Sequence, residues 1–486
     1  MGYSKMLKKI LSWQLLSPIL TTAGLLFRPL QIILKQDILI MINEGNRDTL
    51  GLFLVYAHLK YGYKLKIKVH SMMFLQRFWV LLYRPTIITS INIDCPEGIK
   101  IYEFLHDLGC YRLMIPTEHA MYNTIQYLIT QFNIQGLIDN ILVANEKMKE
   151  LFINEKKSPA DQIHVIGYPT FDWSVPPLNT FFEPRKTFFQ KHRVPLDRKV
   201  ILLASSFSVA DAIDDNNKKY QFAPIPEAEL IKLIETTQKL RKLTIDCFTE
   251  LLTKHPNWQL FIRKHPFEKP DLYFQAWANH WQVCQVHYEE IHDVLANCDV
   301  FVHWRSTSSL QAWGFGKPTI LINFNECPNS LQENELESFH LGNYLCQHLA
   351  ELEPILATIL NGQPLPATQI EHRKRCQQKF FPNMDGHAAE TAAQLIHKLF
   401  RQEQRRKIKF STKPLDTLHL LRGFGLWFVY KINFQLARLL KCQPNNFRSS
   451  LIKISSAYDG FALEFHQLRL EKKISKHLRK IYDATN

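Results

Sequence analysis

The 486 residues contain no Cys-x-x-Cys pair and no Cys/His spacing that would hold zinc; nine cysteines lie scattered between positions 95 and 442. A disulfide framework and a structural zinc site are excluded, and the odd, dispersed set reads as unpaired, mostly buried thiols of a reducing compartment. Solenoid-type repeats and low-complexity tracts are also missing. Charged residues make up only 21% and hydrophobic residues 46%, which excludes a mainly disordered or fibrous chain and leaves a globular one of about two domains plus extensions. Acidic residues are absent from 1–36, which carry five basic residues. Residues 401–486 hold 18 basic and 6 acidic residues, so of the formal net charge of +14 the stretch 37–400 is left with −3. A mildly acidic body is flanked by two basic ends, which argues against a nucleic-acid binder with a basic face.

The ends also lack an uninterrupted apolar run. MGYSKMLKKILSWQLLSPILTTAGLLFRPLQIILKQD opens with a basic cluster and an apolar stretch from Ile10 to Phe27, followed by no A-x-A-like cleavage site and interrupted by Arg28 and Lys35. Ser12, Gln14, Ser17, Pro18, Thr21 and Thr22 dilute it too far for a spanning helix. It fits a helix lying in a membrane interface, with Trp13 and the lysines at headgroup level; a helix packed on the protein's own surface competes with that reading. GFGLWFVYKINFQLARLLK (423–441) is broken by Lys431 and Arg438, follows RRKIK (405–409) and precedes EKKISKHLRK (471–480). Basic clusters beside apolar stretches suit an anionic cytoplasmic leaflet, at about 1 kcal/mol per well-placed basic residue. A solvated tail that packs by its apolar face is the alternative. The expected location is cytoplasmic, peripheral on the inner face of the plasma membrane.

Between the ends, short apolar segments alternate with helical ones. ILIMI (38–42), KLKIKV (64–69), TIITSI (86–91), YRLMI (111–115), ILVA (141–144) and IHVIG (163–167) read as strands of one half. KVILLAS (199–205), WQLFIR (258–263), CQVHY (284–288), DVFVHW (299–304) and TILI (319–322) read as strands of another. Runs of this length between helices predict parallel sheets covered on both faces. The predicted organisation is α/β: an interfacial segment (1–36), a Rossmann-like domain (37–175), a Pro- and charge-rich linker (176–198), a second Rossmann-like domain (199–400) and a basic helical, membrane-associating tail (401–486). The HAAETAAQLIHKLF helix (387–400) would close the second domain, and the two domains would face a cleft.

In open parallel sheets ligands sit beyond the carboxyl ends of the strands. WQLFIRKHPFEKP (258–270) places Arg263, Lys264, His265 and Pro266 there, two cations and a histidine on a stiffened loop that can hold a phosphate without metal. HPNW (255–258) is a second His-Pro at the wrong end of that strand. In DVFVHWRSTSSLQAWGFGKPTILI (299–322), Arg305 is followed by Ser306, Thr307, Ser308 and Ser309 at a helix start, where hydroxyls and free N–H groups favour an anion; ordinary N-capping is the competing reading. Asp214-Asp215 reads as a solvated loop, and Trp304 and Trp313 as core.

Strand–Ser/Thr–helix–Gly-Lys-Pro–strand, preceded by a strand ending in Lys-His-Pro, resembles the C-terminal half of GT-B glycosyltransferases. The resemblance is to bacterial surface-carbohydrate biosynthesis proteins akin to Kdo and sialic acid transferases and, more distantly, to CDP-glycerol glycerophosphotransferases. VIGYPTFDW (165–173) is similar to the family's Gly-Asn-Pro-x-Phe-Asp segment, ILIMINEGNRDTLG (38–51) to its first strand, and FPNMDGHAAETAAQLI (381–396) to its closing Asp-Gly-x-Ala helix. The resemblance implies that His265 and Ser306–Ser309 grip a nucleotide phosphate. It also implies a general base in an acidic motif whose nearest match is IPTEHA (115–120): Glu118 is present, while Thr117 and His119 replace the family's acid and glycine. Glu44 and Asp172 are competing carboxylates, and Gly167, Tyr168 (where the family has Asn) and Arg47 are candidate substrate contacts. The activity implied is metal-independent transfer of a sugar from a nucleotide donor, CMP- or CDP-linked before UDP, to a surface polysaccharide such as lipopolysaccharide or capsule, or to a lipid-linked glycan. The nucleotide-sugar is a substrate, and no cofactor is expected. CDP-polyol phosphotransfer, sugar-nucleotide epimerisation and a non-catalytic GT-B-like binding subunit are the alternatives.

Overall fold

Each of the eleven apolar segments forms a strand in the computed structural model, which describes residues 18–439 except 19, 21, 43–48, 72–75, 91–95, 117–134, 156–157, 212–226, 266–267, 269–270, 279, 288, 305, 326–339, 382–384 and 412. The chain divides into two units, the first running to Asp172 and resuming at His387, the second running from Trp173 to Gly386.

The first unit is built on β1 (Ile38–Ile42), β2 (Ile67–Ser71), β3 (Ile87–Ser90), β4 (Tyr111–Met114), β5 (Asn140–Val143) and β6 (Ile163–Val165), in the order β2-β1-β3-β4-β5-β6. Every pairing is parallel; Ile38 of β1, for example, faces Ile67 of β2 and Ile87 of β3. All five residues of β1 are buried, as a strand covered on both faces requires. The order reverses between β1 and β3, so that is this sheet's switch point.

The second unit contains β7 (Lys199–Ala204), β8 (Trp258–Arg263), β9 (Val283–Gln285), β10 (Val300–His303), β11 (Thr319–Ile322) and β12 (Tyr344–Cys346), again all parallel, in the order β12-β11-β10-β7-β8-β9. Alternation splits its core in two. Ile201, Leu203, Leu260, Ile262, Val300 and Val302 meet the Glu227–Lys254 helix on one face, while Val200, Leu202, Phe261 and Phe301 meet the Ile291–Asn297 helix on the other. β12, absent from the sequence reading, is a three-residue edge strand with one buried residue, too short to show a pattern.

Two expectations about boundaries change. The stretch 176–198, read as a linker, belongs to the second unit: its Arg185–His192 helix inserts Phe188 and Phe189, both fully buried, against Val200, Leu202 and Phe261. Arg185 pairs with Asp299 at 2.9 Å. Proline and charge mark only the turns around this helix. The helix at 387–400, expected to close the second domain, groups with the first unit instead. As Ala388–Glu403 it buries a stripe of small and apolar residues (Ala388, Ala389, Ala392, Ala393, Ile396) and packs on the Thr49–Ala57 helix and the π-helical turn His58–Gly62. His397 stacks on Tyr63 at 4.1 Å.

The described parts of the two basic ends also pack on this unit. The Arg28–Ile33 helix is anchored by buried Gln31, whose amide donates to the Leu81 carbonyl at 2.9 Å. The Pro414–Leu439 helix lies on the Gln76–Tyr83 helix, with Phe424 edge-on to Phe78 and Trp427 edge-on to Trp79. Among the described residues no helix is long and apolar enough to cross a membrane.

Candidate functional site

In the second sheet the order reverses between β7 and β10, and ligands of open α/β sheets bind beyond the carboxyl ends at such a point. Register fixes what sits there: Ala204 at the end of β7 lies opposite Arg263 of β8 on one side and His303 of β10 on the other. Strand spacing puts those two neighbours roughly 10 Å apart. The Lys-His-Pro loop and the serine turn therefore flank the end of β7.

The loop after β8 is held by a residue the sequence reading passed over. Glu268 is buried, and its carboxylate accepts from the Ser205 hydroxyl (2.9 Å), the Phe207 amide (2.7 Å) and the Tyr273 hydroxyl (2.6 Å). The Glu268 amide donates to the His265 carbonyl at 3.0 Å. Burial raises the Glu268 pKa, and these donors oppose the rise. Glu268 thus ties the histidine loop to the end of β7. An acid two residues beyond a His-Pro looks in sequence like a solvated loop residue.

The predicted cations are drawn into the same scaffold. Arg263 donates to the carbonyls of Val286 and Glu289, and the Lys264 ammonium to those of His265 (3.3 Å) and Glu268 (3.0 Å). The Lys264 amide donates to Nδ1 of His287 at 3.0 Å. That ring is pushed down to about 4 by burial and by the charges of Lys264 and Arg263, so it is a neutral acceptor at pH 7. His265 is half-buried between these anchored neighbours. Pro266 lies outside the described residues.

After β10 the turn is held from beneath by His303, a second residue not foreseen. Fully buried and pushed down to about 4 by desolvation, its ring accepts from the Ser306 amide at Nδ1 (3.2 Å) and donates from Nε2 to Asn343 (3.2 Å). The Asn343 oxygen also accepts from Thr319 (2.6 Å), whose hydroxyl takes hydrogen bonds from Trp313 and Arg373, each at 3.0 Å. The Ser306 hydroxyl accepts from the Ser308 amide at 3.3 Å, and buried Ser309 donates its hydroxyl to the Ser306 carbonyl at 2.8 Å. Ser309 thus serves the turn itself. Ser306 and Ser308 are half-buried and Thr307 is exposed, at the start of a helix of only seven residues. Arg305 lies outside the described residues. Trp304 and Trp313 are core, Trp304 stacking on Phe207 at 5.5 Å.

In the first unit, the loops after β1 and β3 at the switch point lie outside the described residues, and so do Glu44, Arg47, Thr117, Glu118 and His119. Gly167, after β6, has φ +83°, a conformation other residues avoid. Tyr168 meets Phe171 edge-on at 4.9 Å. Asp172 is buried, and its carboxylate accepts from the amides of Ala388 (3.2 Å) and Ala389 (2.7 Å). It caps the Ala388–Glu403 helix, a structural task that sequence spacing of over 200 residues conceals. Among the described residues no three His, Cys, Asp or Glu side chains gather to hold a metal ion.

No protein-family model matches the chain, and no curated protein matches it in sequence. Solved structures do match in fold. The wall teichoic acid polymerase TagF is similar at 13% identity and TM-score 0.51 over 83% of this chain and 98% of its own. A variant of that polymerase soaked with CDPG gives 12% identity and TM-score 0.52 over 83% of this chain and 100% of its own. The UDP-GlcNAc 2-epimerase from Neisseria meningitidis, bound to UDP-GlcNAc, matches 74% of this chain and 99% of its own at 12% identity and TM-score 0.48. Identities of this size speak for fold alone. With two six-stranded parallel sheets, each in its own Rossmann-like unit, the chain has the GT-B fold that it shares with TagF.

Proposed function

We propose that this chain is a transferase that moves a sugar from a CMP- or CDP-linked donor to a glycan or lipid-linked acceptor at the inner face of a membrane. The observation that carries this reading is the switch point of the second sheet, where the loop of His265 and the turn of Ser306–Ser308 flank the end of β7. Both are braced by buried groups, Glu268 and His303, so their donors are held in place before a ligand arrives. In the transfer, an acceptor oxygen bonds to the sugar carbon, the bond from that carbon to the donor's phosphate oxygen breaks, and charge accumulates on the departing nucleotide phosphate. The His265 loop and the serine turn take that charge. The acceptor's proton goes to a carboxylate, a step worth about 10²–10⁴-fold; Glu118 and Glu44 are the candidates, since Asp172 is spent as a helix cap.

A second reading, transfer of a polyol phosphate from a CDP-linked donor, is favoured by the fold shared with a teichoic acid polymerase whose variant was soaked with CDPG. There the acceptor oxygen would bond to the distal phosphorus and CMP would depart, with the same two loops on the departing phosphate.

Purified protein incubated with CMP-, CDP- and UDP-linked donors is expected to release nucleotide from a cytidine donor, and His265→Ala to lower kcat/KM by about 10²–10³-fold. Release from UDP donors alone, or a His265→Ala variant with full activity, overturns the assignment. Nucleotide binding that depends on His265 without release from any donor shows a binding subunit instead.

A further inference from the structure

The Pro414–Leu439 helix is apolar on two opposite sides. One side is used: Thr417, Leu420 and Gly423 are buried, and a Cβ on Gly423 would lie 2.3 Å from the Phe78 ring. The other side carries Leu415, Leu418 and Leu421 at three-residue spacing, each more than 40% exposed. The segment 22–33 repeats this division. Its Phe27 and Leu30 pack on the same core as Leu420, while Leu26 and Ile33 are 79% and 75% exposed, with Leu25 and Ile32 also open. The two segments lie side by side: Phe27 stacks on Phe424 at 5.4 Å, and a Cβ on Gly24 would lie 2.6 Å from the Thr417 hydroxyl. Two stretches at opposite ends of the sequence thus share a seam, and each leaves aliphatic side chains in the open beside it.

Charge around these side chains is mainly positive, the exposed Asp107 being paired with Lys413 at 3.0 Å. Lys35, Lys407, Lys409 and Arg422 are exposed. Within 22–35 there is no acid, and Asp416, next to the exposed leucines, is buried and takes a hydrogen bond from the Ser411 hydroxyl. An apolar surface rimmed by cations complements an anionic bilayer, which offers hydrocarbon below a layer of negative headgroups. A second copy of the chain would meet the same cations with its own.

We infer that the paired segments 22–33 and 414–425 form one docking surface for an anionic lipid bilayer, with Leu25, Leu26, Ile32, Ile33, Leu418 and Leu421 entering the interface and the basic rim meeting the headgroups. This deepens the membrane part of the function proposed above and is independent of the transfer chemistry. Flotation of the full chain with vesicles tests it. Binding is expected to phosphatidylcholine vesicles that contain phosphatidylglycerol and to be far weaker without it. A variant with Leu26→Glu, Ile33→Glu, Leu418→Glu and Leu421→Glu, all at exposed positions, should keep its thermal midpoint and lose at least tenfold in vesicle binding. Where that variant fails to fold, Leu418→Ser with Leu421→Ser is judged on the same readout. Lys35→Gln, Lys409→Gln and Arg422→Gln should weaken binding to the anionic vesicles by about fivefold per charge removed. No flotation of the wild type, undiminished flotation of the apolar variant, indifference to the charge changes, or a dimer that the apolar substitutions dissolve each overturns the surface. Nucleotide release is scored separately, so loss of one leaves the other standing.

Discussion

Three buried polar residues, Glu268, His303 and Asp172, organise the loops around the strand ends: Glu268 and Asp172 through backbone amides of distant segments, His303 through the nearby Ser306 amide and the distant Asn343 side chain. Only Asp172 was singled out from sequence, and as a catalytic candidate rather than as a cap. Residue type shows that a carboxylate or imidazole is present; its partners come from the fold. His303 has a measurable signature. Its pKa is lowered from 6.5 to about 4 in the folded protein by burial, so between those values the unfolded chain takes up a proton that the folded chain does not. Stability is therefore present in full above pH 6.5 and lost as pH falls toward 4, by about 3 kcal/mol from this group. Urea unfolding at a series of pH values should show the decline, with a smaller slope in His303→Gln. An unchanged slope in that variant removes His303 from the account.

At the scale of elements, the strands were legible because a strand buried on both faces must be an unbroken apolar run, and β1, β7, β10 and β11 are such runs. The edge strand β12 and the Arg185–His192 helix were not, since one is too short and the other hides two phenylalanines among charges. The Pro414–Leu439 helix provides a test of how elements seat. Gly423 lies against Phe78 with no space for a Cβ, whereas nothing stands within 4 Å of a Cβ on Gly425. Gly423→Ala is expected to destabilise by about 1–3 kcal/mol through overpacking. Gly425→Ala, two residues on, should stabilise by about 0.5–1 kcal/mol through helix propensity. Opposite shifts in thermal midpoint confirm the contact; shifts of the same sign show that the helix does not sit against Phe78.

At the scale of the whole chain, the boundary between units follows contacts rather than sequence order, because the segment from His387 on returns to the first unit. A chain ending at Gly386 would lose the Ala388–Glu403 helix that Asp172 caps and the helix that covers Phe78, while the core of the second unit would stay whole. Limited proteolysis of that shortened chain should digest the region before Asp172 and spare Trp173–Gly386. Equal digestion of both, or survival of the first region, contradicts the assignment of the returning helices.

The sequence by itself determined the α/β class, the two parallel sheets, the positions of the His265 loop and the serine turn after strands, and the confinement of the excess positive charge to the ends. These follow from local patterns: period, run length, turn residues and charge counts. The tertiary structure alone decided which strands are neighbours, and hence that the two loops flank β7. It also decided that a carboxylate offered for catalysis caps a helix, and that two distant basic ends share a seam with leucines left in the open. Each of these depends on pairs of residues dozens to hundreds of positions apart, and the free energy that joins them comes from burial, which no local pattern of one segment contains.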